Sequence, residues 1–157
     1  TCLALAGLVG STYAAEIGSM KVSEEVDALE VMSIDPVYYL VMPRVIALSL
    51  AAVVLTVYAD VIGLAGGALV ARAQFNVDAD IFLQQARDAV KLKDIYGGLF
   101  KSFVFGMTIA GVSCSQGLRA SGGPAGVGRA TLRSVVISFI LILVFDYLLS
   151  AVIWPPT

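Results

Sequence analysis

Residues 16–36 read EIGSMKVSEEVDALEVMSIDP, and this stretch decides how the rest of the chain is laid out. It carries Glu16, Glu24, Glu25, Asp27, Glu30 and Asp35, half of the 12 acids in the chain. Val22, Val26, Leu29 and Met32 recur at spacings of four, three and three, which puts them on one stripe of a helix. Glu24, Glu25, Asp27 and Glu30 occupy the remaining faces. Ser23 is the expected cap, with Glu24 and Glu25 in the first turn, where acids oppose the helix dipole favourably. Pro36 is expected to end the helix, because the residue before a proline avoids helical backbone. Asp35-Pro36 then reads as the cap and first residue of the next helix.

Outside this island the chain is apolar. Its 157 residues are 59% hydrophobic and 14% charged, against about 45–50% and about 25% in a soluble domain. A membrane protein follows. The net charge of −2 gives no reason to expect a nucleic-acid partner. There is no histidine, which removes His-based triads, imidazole metal ligands and the usual near-neutral proton-transfer group. Cys2 and Cys114, in apolar surroundings, read as small packing residues rather than a disulfide or metal site.

Apolar runs at 45–71, 95–118 and 134–154 are each long enough to cross a bilayer, at about 1.5 Å of rise per residue. Residues 1–15 are also apolar but too few to span, and they lack the basic start of a signal peptide. They read as the tail of a membrane helix, in a chain that is the C-terminal part of a longer protein. Gly7 and Gly10 in that tail, and Gly63, Gly66 and Gly67 in the first full run, are expected to let helices approach closely. Arg44, after Pro43, is expected to snorkel to the interface. Residues 72–94 are polar, with a short amphipathic helix expected over 78–91. Residues 119–133, RASGGPAGVGRATLR, read as a flexible loop with Arg129 and Arg133 at the headgroups. Gly123 and Gly128 have the gap of a phosphate-binding loop. However, Arg129 and Ala130 stand where lysine and Ser/Thr are needed, and a membrane helix precedes instead of a strand. Trp154 before Pro155-Pro156 marks an interface. The class is all-α and polytopic, one membrane domain over residues 1–157. By parity, residues 16–36 and 119–133 share one side and 72–94 the other. Lys21, Arg44, Arg119, Arg129 and Arg133 against Arg72, Arg87, Lys91 and Lys93 is too even a balance to orient the chain by charge.

Three ionisable residues, Asp60, Lys101 and Asp146, interrupt the three crossings. Charges there cost about 2.5–3.5 kcal/mol on insertion scales, so pairing or a wet cavity is expected. All three fall in the half away from residues 16–36, where they can cluster. A salt bridge that only fixes helix packing explains them as well as a substrate contact does. Phe100, Phe103, Phe105 and Met107 are candidates for the wall of a lipid path, although ordinary helix packing uses the same residues. Two other readings stand beside a transporter driven by a separate ATPase: a secondary transporter with Asp60 and Asp146 as proton sites, and a membrane scaffold without transport. An intramembrane hydrolase is disfavoured by the lack of histidine and of a well-spaced Ser–Lys pair.

AAEIGSMKVSEEVDALEVMSIDPVYYLVMPR, with GVGRATLRSVV further on, resembles the MlaE/YrbE family of permease subunits. These belong to ABC transporters that move lipids together with MCE-domain proteins. The resemblance implies a homodimeric, multi-pass permease of the bacterial inner membrane. It implies a cytoplasmic coupling helix, including Glu24, Glu25, Val26, Asp27, Leu29, Glu30 and Met32, docked on an ABC ATPase subunit, with residues 72–94 periplasmic and facing the MCE partner. It also implies a small STAS-type cytoplasmic subunit, a phospholipid or similar substrate, and no cofactor on this chain, with ATP and Mg held by the ATPase. Leu8 stands where the family usually has arginine.

Overall fold

The computed structural model describes residues 1–75 and 92–153, with residues 82, 84, 85, 87 and 90 between them. The amphipathic helix expected over 78–91 and the interface role of Trp154 fall largely or wholly outside the described residues. Among the described residues the chain is helical, without strands.

Helix α1 runs from Cys2–Leu5 through a wide π turn, Ala6–Gly10, into Ser11–Val22. A π turn displaces carbonyls from the regular ladder. Here hydroxyls reach those carbonyls: Ser11 Oγ donates to Gly7 O at 2.6 Å and Thr12 Oγ1 to Leu8 O at 2.8 Å. The apolar tail therefore continues as one rod into the acidic stretch, and Glu16–Val22 belong to this helix.

Helix α2 is Glu25–Val31. Ser23 is not its cap. It closes the end of α1, with its N–H donating to Ser19 O at 2.9 Å. Glu24, left-handed at φ 61°, makes the corner instead. At the far end Ser33 is left-handed at φ 60°, and Ile34 N–H donates to Leu29 O at 3.0 Å. That six-to-one bond is a Schellman closure, so α2 stops several residues before Pro36. Asp35 then caps the next helix, its Oδ1 accepting from Val37 N–H at 2.9 Å, and Pro36 sits where its missing N–H costs nothing.

Helix α3 comprises a π turn, Val37–Val41, and Met42–Phe75. Pro43 lies inside it rather than at its start. A proline crowds the carbonyl four residues back, and the wide turn just before Pro43 makes room. The apolar span is thereby longer than the 45–71 expected, Val37–Ala73. Helix α4 is Leu92–Leu118 and helix α5 is Gly123–Ile153. Residues 123–133 are helix, not loop. Gly122 and Gly123, at φ +84° and +71°, reverse the chain in two residues, and Pro124 presets the backbone of the first turn.

Helix α4 is the centre of the bundle, packed on α1, α3 and α5. It meets its neighbours at backbone distance. A Cβ added to Gly106 would lie 2.8 Å from Ser49 Cα and 2.9 Å from Leu48 O on α3. One added to Gly117 would lie 2.8 Å from Ile17 Cβ on α1. Gly10 is likewise closed in by Ser113 and Ile109. Gly7, Gly63 and Gly66, in contrast, face open space. The tightest glycine contacts lie where three helices converge, while on α3 Gly67 alone of its trio is approached, a Cβ there lying 3.2 Å from the Phe82 ring. Leu5, Ala6, Leu48, Ala52, Phe105, Ile109, Ala110 and Ile142 form the core, drawn from all four long helices. Between α4 and α5, buried Ser134 Oγ donates to Ser113 Oγ at 2.9 Å. Cys114 is a free, buried packing residue.

The outer faces of α3 and α5 are apolar and exposed, among them Leu50, Val54, Val61 and Ile62 on α3 and Val136, Ile140 and Leu143 on α5. Water would not tolerate so wide an apolar surface; hydrocarbon does. Three helices, Val37–Ala73, Leu92–Leu118 and Gly123–Val152, are long and apolar enough to cross a membrane.

The two classes of glycine make a paired test. Gly106→Ala is expected to lower stability by about 1–3 kcal/mol through overpacking. Gly63→Ala is expected to be neutral or to gain up to about 1 kcal/mol from helix propensity. Thermal unfolding of the full-length protein in detergent reads both, and equal midpoints for the two variants would refute the backbone contact at Gly106.

Candidate functional site

The bundle has two chemically distinct ends. At the first lie the C-terminal ends of α1 and α4, all of α2, and the N-terminal ends of α3 and α5. Val26, 1% exposed, is the buried residue of α2, which folds back on the end of α1. Leu29 is half-buried, and Met32, expected on the same inward stripe, is exposed with Val31. The helix is too short, and its Schellman closure turns too early, for the stripe to stay inward. Glu24, Glu25, Asp27 and Glu30 are exposed. The outward surface is thus acidic with an apolar tip, and Val31 is an exposed apolar residue of that tip that the stripe argument misses. Lys21 bonds to Asp27. That bond is the main reason its ammonium titrates above the ordinary 10.5. A raised lysine contributes stability below its ordinary pKa and loses it only as pH rises through the raised value, so this corner is insensitive to pH in the neutral range.

The base of α2 is pinned. Arg44 Nη2 donates to Glu16 Oε2 at 3.0 Å, and the guanidinium lies 5.6 Å from the Tyr13 ring centroid. This cation–π and ion-pair bracket joins α1 to α3 across the connection that contains α2. Arg44 does not snorkel outward. The signal that could have found the bracket is the spacing of Tyr13 and Glu16, three apart on one helix face.

At the opposite end, a cavity of about 340 Å³ opens where the four long helices converge, lined among others by Cys2, Thr56, Lys101, Phe105, Ile142 and Asp146. Lys101 Nζ, on a side chain 14% exposed, donates to Asp146 Oδ1 at 3.0 Å and to Ser150 Oγ at 2.5 Å. Asp146 is 55% exposed and Ser150 lies one turn further along α5. The pair therefore sits at the cavity margin, with apolar side chains inward of it. Asp60 is not part of this group. It lines a separate groove of about 570 Å³ between α3 and α4, with Val61, Leu64, Asp94 and Ile95.

The aromatic candidates divide. Phe105 is buried in the core and lines the Lys101 cavity. Phe100, Phe103 and Met107 lie on another face of α4, by the 100° step of a helix, and Phe100 and Met107 are exposed. Leu8 is 73% exposed on α1, away from the buried core.

The sequence is similar to known proteins. The family model described as Permease MlaE matches residues 1–152. A probable ABC transporter permease protein of Synechocystis is 43% identical over 96% of this chain and 57% of its own length. A probable ABC transporter permease protein of Rickettsia typhi is 44% identical over 97% of this chain and 59% of its own length. The chloroplastic protein TRIGALACTOSYLDIACYLGLYCEROL 1 of Arabidopsis thaliana is 41% identical over 96% of this chain and 43% of its own length. The chain spans about half the length of the curated relatives it matches. With three helices among the described residues long and apolar enough to cross a membrane, the chain is a multi-pass membrane protein and belongs to the MlaE permease family.

Proposed function

We propose that the chain is the membrane part of an ATP-driven transporter that moves phospholipid or a similar amphiphile at the bacterial inner membrane. The observation that carries this reading is α2: one buried valine holds it to the bundle, while its acids, Val31 and Met32 face outward. A short helix gripped from outside and pinned at its base by Arg44 can transmit a push into the membrane helices. An ABC ATPase subunit on the cytoplasmic side is the partner, and it holds ATP and Mg; this chain contributes transport and no bond chemistry. At the other end, the Lys101 cavity suits an amphiphile. The ammonium–carboxylate pair at the margin meets a polar headgroup, and Phe105, Ile142 and Leu143 meet an apolar tail. An MCE-domain protein on the periplasmic side receives or delivers the lipid. A second copy of the chain completes the permease as a homodimer, and a small STAS-type subunit joins on the cytoplasmic side. The exposed apolar faces of α3 and α5 leave room for such packing.

Charge reversal at Glu24 and Glu25 in the full-length permease is expected to weaken ATPase docking by about tenfold, with membrane insertion unchanged. Pull-down of the ATPase and lipid-stimulated ATP hydrolysis provide the readout; normal values in both would sink the coupling role of α2.

At the cavity, Lys101→Met leaves Asp146 without its cation, and Lys101→Arg keeps the charge. Lipid transfer in proteoliposomes is expected to fall several-fold in the first variant and to be largely retained in the second. Equal activity of Lys101→Met and the parent would show that the pair serves packing alone.

A further inference from the structure

A third cavity, of about 350 Å³, lies at the α2 end of the bundle, lined by Gln116, Arg119, Ser121, Arg129 and Arg133. Three guanidiniums from different parts of the chain converge on it. Arg119 follows the end of α4, while Arg129 and Arg133 are one turn apart on α5. Among the described residues none of the three has a carboxylate partner. At the same end of the bundle Glu16 and Asp27 pair with Arg44 and Lys21, Glu24, Glu25 and Glu30 are exposed on α2, and no acid lines the cavity. The cavity is built rather than incidental. Gly122 and Gly123 turn the chain over it in left-handed conformations, and Arg129 Nη2 approaches Gly122. A Cβ on Gly126 would overlap the Ser121 carbonyl oxygen, so the turn is folded tightly onto the first turn of α5.

We propose that this cavity binds the phosphate of an anionic phospholipid headgroup at the membrane surface. Forked guanidiniums pair bidentately with phosphate oxygens, and three exposed guanidiniums gathered on one cavity without a carboxylate among the described residues favour an anion there. The apolar face that begins beside the arginines selects a lipid. Leu132, Val136, Ile140 and Leu143 are all exposed and follow one another along α5, so acyl chains can run along the helix from a headgroup held by Arg129 and Arg133. Basic pockets at the ends of membrane helices take anionic headgroups in this way. On the proposed reading of the Lys101 cavity as the transport site, this cavity at the opposite end holds a resident lipid.

The test uses the full-length permease in nanodiscs of phosphatidylcholine mixed with phosphatidylglycerol, with lipid retention read by native mass spectrometry. Phosphatidylglycerol is expected to be enriched on the parent protein. Arg129→Gln/Arg133→Gln is expected to lose that enrichment by on the order of tenfold, and Arg129→Lys/Arg133→Lys to keep part of it, which separates loss of charge from loss of fold. No enrichment on the parent, or equal enrichment on the glutamine variant, overturns the proposal. Inorganic phosphate binding by delipidated protein that the glutamine variant abolishes, without phosphatidylglycerol enrichment, reassigns the site to free phosphate and overturns the lipid assignment. Loss of a co-purifying protein from the glutamine variant with lipid retention unchanged assigns the arginines to a protein contact instead. Retention is read without ATP or transport, so failure here leaves the proposed transport function standing.

Discussion

Backbone-to-backbone contact along α4 is the constraint on which the bundle depends. In hydrocarbon, apolar side chains gain little by leaving the solvent, and helices associate through close packing and buried hydrogen bonds. Gly106 lets α3 approach at Leu48 and Ser49, and Gly117 lets α1 approach at Ile17. The same face carries Ala110, Ser113 and Cys114, all small and buried, and the Ser134–Ser113 hydrogen bond supplies the polar part of the α5 contact. Large side chains there would separate the helices and remove both the Lys101 cavity and the platform for α2.

The two functional ends are therefore not independent features. Phe105 lines the Lys101 cavity and belongs to the core cluster, one residue before the glycine that seats α3. Ile17, which seats against Gly117, is one residue beyond Glu16, the acid that holds Arg44. The elements that position the Lys101–Asp146 pair and those that position α2 thus belong to the same helices. Nothing more elaborate than helix rigidity is needed to relate them.

Much of this was legible in the sequence, for identifiable reasons. Long apolar runs broken by single charges give membrane helices, because every backbone polar group must be satisfied within the span. Asp35-Pro36 is a local helix start, and the structure has it. Asp60, Lys101 and Asp146 were readable as a cluster in one half of the bilayer; the structure pairs Lys101 with Asp146 and leaves Asp60 in a separate groove. What was not legible depends on tertiary contact. Ser23 looks like a cap until α1 is seen to run through to Val22. Gly63 and Gly66 look like packing residues until they are seen to face open space, and Gly106 gains its importance only from the Ser49 backbone opposite. Residues 123–133 look like a loop by composition, but the glycines serve a tight turn and a close approach, and helix forms around them. Pro43 marks a helix start by propensity, and a π turn overrides it.

The bracket between Arg44 and Glu16 has a mechanical consequence. It closes the ends of α1 and α3 into a loop with α2 at its apex, so a load applied at the apex is shared by two helices instead of being absorbed by slack connections. The two are not equally braced. Helix α1 packs along both α4 and α5, whereas α3 packs mainly along α4, with the Arg44 bracket tying it to α1. Helix α3, with its outer face bare, is the less braced of the two, so a load at the apex meets less packing resistance along α3 than along α1.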